Sequence, residues 1–291
     1  MFETPIPVAR SKAEIRQCVA AWRAESLKIG LVPTMGALHD GHLSLVRRAA
    51  ESTDRIVASI FVNPTQFAPG EDFDSYPRNE ADDLAKLAEA GCHLAYVPSV
   101  EEMYPEGSLT DVRVAEMSDL LDGAHRPHFF YGVSTIVARL FIHVAPDVAV
   151  FGEKDFQQLQ ILKRMTRDLG FSIEIIGGPT VRDADGLAQS SRNAYLTEAE
   201  RPVAGAVYAA LHRARRRIEI GVSIDEALTE AEAFLVAAGM TSVDYVSACD
   251  PETLTDLAPG PAEAGADGRL LAAAWLGATR LIDNIGFKRP A

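Results

Sequence analysis

The stretch Ile29-Gly30-Leu31-Val32-Pro33-Thr34-Met35-Gly36-Ala37-Leu38-His39-Asp40-Gly41-His42 decides the fold. Its first four residues read as a buried strand, a glycine turn follows, and an amphipathic run over 43–50 reads as a helix. Pro33 is expected to end the strand, and Gly36 and Gly41 to permit positive φ or close backbone approach. His39 and His42, three residues apart at the head of that helix, share one face of its first turn, beside N–H groups that lack intrahelical partners. That face suits an anion. The helix dipole adds positive potential and a neutral imidazole still donates one hydrogen bond, so a polyphosphate fits both features. Two histidines at this spacing also occur on plain wet helix faces, and a zinc site would need further ligands.

The same unit repeats outward from this block. Strands are expected at residues 29–32, 55–62, 93–97, 148–151 and 172–176, with helices at 12–25, 41–51, 78–90, 133–144 and 156–169. Apolar strands separated by helices of ten or more residues imply an α/β fold, a parallel sheet with helices on both faces, whose ligands bind at the carboxyl ends of the strands. After about Asp183 the pattern changes to two long helices, 198–220 and 224–238, and two strands, 242–248 and 270–276. That is a smaller α+β arrangement, so the domains are expected at 1–183 and 184–291. The Pro/Gly/Ala-rich loop 258–268 has the composition of flexible chain.

Composition narrows the function. A chain of 291 residues with 47% hydrophobic and 24% charged residues is neither disordered nor a membrane protein. No apolar run nears the roughly 18 residues of a membrane span, and residues 1–10 lack signal-peptide order, so a cytoplasmic location is expected. The formal net charge of -13 argues against gripping a nucleic-acid backbone. Arg213, Arg215, Arg216 and Arg217, after His212, read as a solvated helix face. Cys18, Cys92 and Cys249 show neither metal nor disulfide spacing.

Three further clusters fall at expected strand ends. In residues 61–67, Asn63 reads as Asn-Pro turn chemistry, whereas the Gln66 amide could bind hydroxyls and carboxylates of a small polar substrate. In residues 151–158, an apolar strand ends at Gly152, a helix begins at about Asp155, whose carboxylate suits an N-cap, and Lys154 would project an ammonium over the strand ends toward a phosphoryl group. Gln158 lies one turn further, on a face that could meet Gln66. In residues 186–193, past Val181 and Arg182, the loop Gln189-Ser190-Ser191-Arg192 could wrap phosphate oxygens with two hydroxyls and a guanidinium. Neither G-x-G-x-x-G after a strand nor G-x-x-x-x-G-K-[ST] occurs, so the phosphate site is built differently.

Together these blocks, P-T-M-G-A-L-H-D-G-H, F-V-N-P-T-Q-F, F-G-E-K-D-F-Q-Q-L and D-G-L-A-Q-S-S-R-N-A-Y-L, resemble the pantoate:β-alanine ligase family of the nucleotidyltransferase superfamily. The likeness continues through residues 243–246 and 279–284. It implies a homodimer of chains with a Rossmann-like N-terminal domain and a C-terminal lid. It also implies a two-step reaction: ATP and pantoate give pantoyl adenylate and pyrophosphate, then β-alanine displaces AMP. Carried over by motif, ATP would contact Met35, Gly36, Ala37, Leu38, His39, Asp40, Gly41, His42, Gly152, Glu153, Lys154, Asp155, Val181, Gln189, Ser190, Ser191 and Arg192. His42, His39 and Lys154 would be catalytic, with His42 assigned proton donation. Gln66 and Gln158 would bind pantoate, Gln66 also facing β-alanine. No protein metal motif is present, and Mg²⁺ would arrive with ATP.

The lid and the polar stretch 69–78 would exclude water from the adenylate. Two positions depart from the family pattern. Gln189 stands where an apolar residue is usual, and Arg126-Pro127-His128-Phe129-Phe130-Tyr131-Gly132-Val133 replaces R-P-G-H-F-x-G-V, so no role is expected for His128. Rival readings are an adenylyltransferase that stops at pyrophosphate release and a regulatory protein that binds ATP without turnover.

Overall fold

The computed structural model describes residues 4–68, 73–74 and 76–289. Of the stretch 69–78 expected as a cover, residues 69–72 and 75 therefore lie outside the described residues. The chain forms two compact units. The first comprises Met1–Ser118, Arg126–Glu153 and Ile161–Pro179, the second Asp119–His125, Lys154–Gln160 and Thr180–Ala291.

In chain order the elements up to residue 178 are β1 (Val8–Ala9), α1 (Lys12–Ala24), β2 (Ile29–Thr34), α2 (Asp40–Ala50), β3 (Arg55–Ile60), α3 (Glu80–Glu89), β4 (Leu94–Tyr96), α4 (Val100–Met103), α5 (Asp122–His125), α6 (Phe129–Val144), β5 (Val148–Gly152), α7 (Phe156–Asp168) and β6 (Glu174–Gly178). The strands form one sheet in the order β1-β4-β3-β2-β5-β6, every adjacent pair parallel. Successive side chains of a strand alternate between faces, and both faces are covered. Val32, Ala58, Ala95 and Val150 share a core with Leu45 and Val46 of α2 and Leu84 and Leu87 of α3. On the opposite face Phe151 meets Phe141 of α6, ring centroids 6.4 Å apart, and Tyr96 bonds His143 of the same helix.

From β2 the chain steps to β3 and β4 on one side and later to β5 and β6 on the other. The direction of winding therefore reverses between β2 and β5, where an open α/β sheet binds its ligand. Pro33 was expected to end the strand but instead sits inside β2 opposite Ser59. Its face of the strand looks toward β5, and pairing there stops at Leu31–Ala149, so the missing N–H costs no ladder bond.

The second unit holds α8 (Ala206–Glu219), α9 (Ile224–Ala238) and an antiparallel sheet β7-β8-β9 (Ser242–Cys249, Asp267–Leu276, Thr279–Lys288). Val207, Leu211 and Ile218 of α8, Leu235 of α9, and Leu270 and Leu281 of the sheet fill one core. α8 begins at Ala206 rather than 198. Pro202 has no N–H to give, and it disfavours helical backbone at Arg201 before it, so residues 198–205 pass in turns. Strand β9 was not expected, because Arg280, Asp283 and Asn284 interrupt its apolar alternation. The loop 258–268 is anchored where flexible chain was expected: Gly260 N–H donates to Asp225 Oδ1 (2.9 Å) and Ile224 N–H to Gly260 O (2.8 Å).

Candidate active site

In the first unit the turn 35–38 is held open by a carboxylate. Gly36 and Ala37 take φ of 85° and 51°, and the N–H groups of Ala37 and Leu38 donate to Asp83 Oδ2 (3.0 Å) and Oδ1 (2.8 Å). Asp83 is 1% exposed on α3. Burial pushes its carboxyl up from the ordinary range, while those N–H groups and the Lys86 ammonium pull it back. Lys86 Nζ in turn donates to Leu38 O (2.9 Å). Sequence reasoning missed Asp83, although a carboxylate beside Leu84 and Leu87 on the buried stripe of a helix is a legible signal.

His39 is the N-cap of α2, and the two imidazoles cap reciprocally. Gly41 N–H donates to His39 Nδ1 (3.1 Å) and His39 N–H to His42 Nδ1 (3.4 Å). Ring centroids lie 4.1 Å apart. A backbone N–H can only donate, so both Nδ1 atoms accept and each neutral ring carries its proton on Nε2. In this tautomer the N–H of each ring is at Nε2, and both rings lie at the head of α2. Leu43, Leu45, Val46 and Ala49 seat the helix, with about 1.5–3 kcal/mol for each large apolar side chain buried.

Asn63 follows β3 fully buried, as a structural hub. Its Nδ2 donates to Gly132 O (3.1 Å) and Gln66 Oε1 (2.9 Å), and its Oδ1 accepts from Thr65 N–H (3.4 Å) and Tyr104 OH (2.8 Å). A carbonyl on one side and an N–H on the other fix the Asn63 amide. Gln66 must then turn its oxygen inward and its NH₂ away, the polarity a carboxylate ligand needs. Arg126 donates to Gln66 O (3.2 Å) and stacks over Phe129 at 3.9 Å, the position where the family pattern has histidine. Gly152 ends β5 at the sheet's carboxyl edge, and Glu153 opens a 3-10 turn, Glu153–Asp155, that leads into α7.

The second unit carries the remaining candidates. Lys154 is mostly buried, with Nζ 3.8 Å from Oδ1 of Asp155, the last residue of the 3-10 turn rather than a single capping residue before the helix. Gln158 is the third residue of α7. Its neighbour Gln157, not Gln158, is the buried amide: it accepts from Asp122 N–H (3.0 Å) and donates to Leu120 O (2.8 Å). Residues 181–189 fold back on themselves, with Gln189 N–H on Val181 O (2.9 Å) and the Gln189 amide on Asp183 (3.2 Å). Ser190 caps the 3-10 turn Ser191–Tyr195 by accepting from Arg192 N–H (3.3 Å), which leaves its hydroxyl proton to donate. Among the described residues no cluster of three or more His, Cys, Asp or Glu side chains could hold a metal ion.

A parallel sheet wound both ways from β2, with an H-x-G-H helix start at its reversal point, defines a protein of the nucleotidyltransferase type. The sequence matches the profile of the family described as pantoate-beta-alanine ligase over residues 7–286, and the chain belongs to that family. Pantothenate synthetase of Hyphomonas neptunium is 62% identical over 288 residues, covering 99% of this chain and 98% of the relative. The crystal structure of pantothenate synthetase from Thermus thermophilus superposes with a TM-score of 0.89 at 47% identity, covering 96% of this chain and 99% of that one. Pantoate-beta-alanine ligase from Francisella tularensis, complexed with beta-gamma ATP and beta-alanine, gives 0.79 at 31% identity, covering 96% and 97%.

Proposed function

We propose that the protein condenses pantoate with β-alanine at the expense of ATP, through pantoyl adenylate, releasing pyrophosphate and AMP. Membership of the family over nearly the whole chain supports the reaction. The observation that carries the site is the reciprocally capped His39–His42 pair at the reversal point of the sheet.

The residue types suit the chemistry. A pantoate carboxylate is already a nucleophile, so its attack on the α-phosphorus needs no strong base; it needs two anions held together and charge on the departing pyrophosphate neutralised. In the first unit Met35 to His42, with Gly152 and Glu153, would hold ATP, the Nε2–H groups of His39 and His42 donating to phosphate oxygens. Gln66 would offer its NH₂ to the pantoate carboxylate and later face the amine. In the second unit Lys154 and Arg192 would supply cationic donors, with Asp155, Val181, Gln189, Ser190 and Ser191 completing the nucleotide contacts and Gln158 a pantoate contact. In the second step the amine, having lost a proton from its ammonium form, attacks the acyl carbon; a C–N bond forms, the C–O bond to AMP breaks, AMP leaves as an anion, and a further proton passes from the nitrogen to solvent as the amide forms. The divalent ion of such reactions, Mg²⁺, would ride on the ATP phosphates.

We further place the protein in the cytoplasm as a homodimer. Its three cysteines are free thiols, and no helix of the described residues is long and apolar enough to cross a membrane.

The test is an omission series. With ATP, Mg²⁺, pantoate and β-alanine, pyrophosphate is expected with pantoate alone, and AMP only once the amine is added. AMP formed without the amine, or pyrophosphate without pantoate, would overturn the reading.

A further inference from the structure

The proposed reaction gives Lys154 a task, yet nothing so far explains what holds a lysine on a short 3-10 turn in place. The answer lies in the terminal sheet of the second unit. Asn284 of β9 donates from Nδ2 to the main-chain oxygen of Lys154 at 2.7 Å. Its Oδ1 accepts from Arg269 Nε (2.7 Å) and also from Arg269 Nη2. Arg269 belongs to β8, where Leu271 is the register partner of Asn284, so Arg269 and Asn284 are diagonal neighbours on one face of the sheet. The Arg269 guanidinium lies 4.1 Å from the ring centroid of Phe156, two residues after Lys154. Two points of the segment 154–156 are thus gripped by one side-chain pair: a carbonyl by Asn284 and an aromatic ring by Arg269.

The grip is itself fixed. A guanidinium can only donate and a carbonyl only accept, so the Asn284 amide has one allowed orientation. The neighbouring Asp283 is 4% exposed and takes both Arg182 Nη1 (2.5 Å) and Nη2 (2.8 Å), and its Oδ1 accepts from Asn284 N–H (2.7 Å). Arg182 follows Val181, so the same pair of strand residues ties down both segments of this unit that carry nucleotide-site candidates. A part-buried network of directional, charge-assisted hydrogen bonds holds its members close to one geometry.

From this we infer that Asn284 and Arg269 are positioning residues for Lys154, setting the direction from which its ammonium is presented in the adenylation step. The inference rests on the role given to Lys154 above. It concerns placement rather than contact with substrate.

Asn284→Asp isolates the claim. The substituted side chain keeps an oxygen for Arg269 and gains its charge, but sets an acceptor against the Lys154 carbonyl. Single-turnover pyrophosphate release from ATP, Mg²⁺ and pantoate is measured in four full-length proteins: parent, Asn284→Asp, Lys154→Ala and the double variant. Asn284→Asp is expected to slow release at saturating substrate at least tenfold, with KM for pantoate within about threefold and melting temperature within a few degrees of the parent. In the Lys154→Ala background the same substitution is expected to change the rate less than twofold, because the group it positions is gone. An Asn284→Asp rate within twofold of the parent, or an equal fold-loss in both backgrounds, overturns the inference while leaving Lys154 its role. A Lys154→Ala rate equal to the parent overturns that role instead, and the inference with it. Should Asn284→Asp fail to fold, Arg269→Lys, which keeps the charge but loses the planar stack and forked bonding, goes through the same cycle under the same criteria.

Discussion

Gly36 shows how one atom can govern a site. At φ 85°, a Cβ there would stand 2.9 Å from Asp83 Oδ2 and 3.2 Å from Ile60 Cγ2, so Gly36→Ala meets backbone strain and a clash with the carboxylate that holds the turn. We expect it to destabilise the fold by about 1–3 kcal/mol in denaturant melts, and to slow adenylation tenfold or more by displacing the Ala37 and Leu38 N–H groups. A rate equal to the parent would show that the turn does not carry the nucleotide. Lys154 is a different case, proposed as a donor to the charge that develops on the departing pyrophosphate. Removing one such donor typically costs about 3 to 4 kcal/mol, so Lys154→Ala should lose roughly 10²- to 10³-fold in pyrophosphate release. An activity within threefold of the parent would remove Lys154 from its role. At this scale the sequence offers the imidazoles and Lys154 as candidates, because each falls where a strand is expected to end, and the structure places His39 and His42 at the head of α2 and Lys154 just after β5. Asp83 and Asn284 stayed hidden because their work is done on main-chain groups of segments 46 and 130 residues away.

Helix α6 covers one face of the parallel sheet and carries an ionisable group within it. His143 is 8% exposed, its Nδ1 2.9 Å from the Tyr96 hydroxyl, and burial pushes it down to about 4. Lys12, Arg16 and Arg139 push the same way, and Glu102 opposes them. A folded-state value below the unfolded 6.5 means the unfolded chain binds the extra proton. The stability His143 contributes is therefore complete above about pH 6.5 and lost as pH falls toward 4, to an extent of about 3 kcal/mol. Denaturant melts between pH 7 and 4.5 should show the parent losing more stability than His143→Gln; parallel curves would show that the ring does not titrate as described. The element pattern itself was legible where periodicity was unmixed, as in β2, α2 and β5, whose ends fall within a few residues of expectation. It failed where a local rule met a tertiary exception: Pro33 inside a strand whose partner had already ended, and β9 with three polar residues serving the second unit's interior.

The whole molecule is organised less simply than a division near residue 183 suggests, since the second unit takes in residues 119–125 and 154–160 as well as the chain from 180. Its own electrostatics explain why. Arg280 of β9 is only 12% exposed and is bound by Asp122 of α5 (2.7 Å) and Asp244 of β7 (2.7 Å), while the Tyr245 hydroxyl also donates to Asp122 (2.9 Å) and Trp275 Nε1 to Asp244 (3.1 Å). Asp122 thus sits among C-terminal residues more than 120 positions away. No local sequence signal announces such a pairing, since Leu-Asp-Gly at 121–123 reads as an ordinary turn. A fragment starting at residue 184 keeps Arg280 and Asp244 but loses Asp122, Gln157, Phe156 and the Lys154 carbonyl, leaving Arg280 with one of its two carboxylates, Arg269 without the Phe156 ring and Asn284 without the Lys154 carbonyl. Breaking a buried charge pair on one side costs about 3–5 kcal/mol, a large share of the stability of a domain this size. We therefore expect residues 184–291 expressed alone to lack a cooperative thermal transition by near-ultraviolet circular dichroism. Within the full chain, Asp122→Ala should lower the melting temperature by about 6 to 10 °C. A fragment that melts cooperatively near the parent temperature would show that the second unit is complete without the two inserted segments, and that their contacts follow folding instead of enabling it.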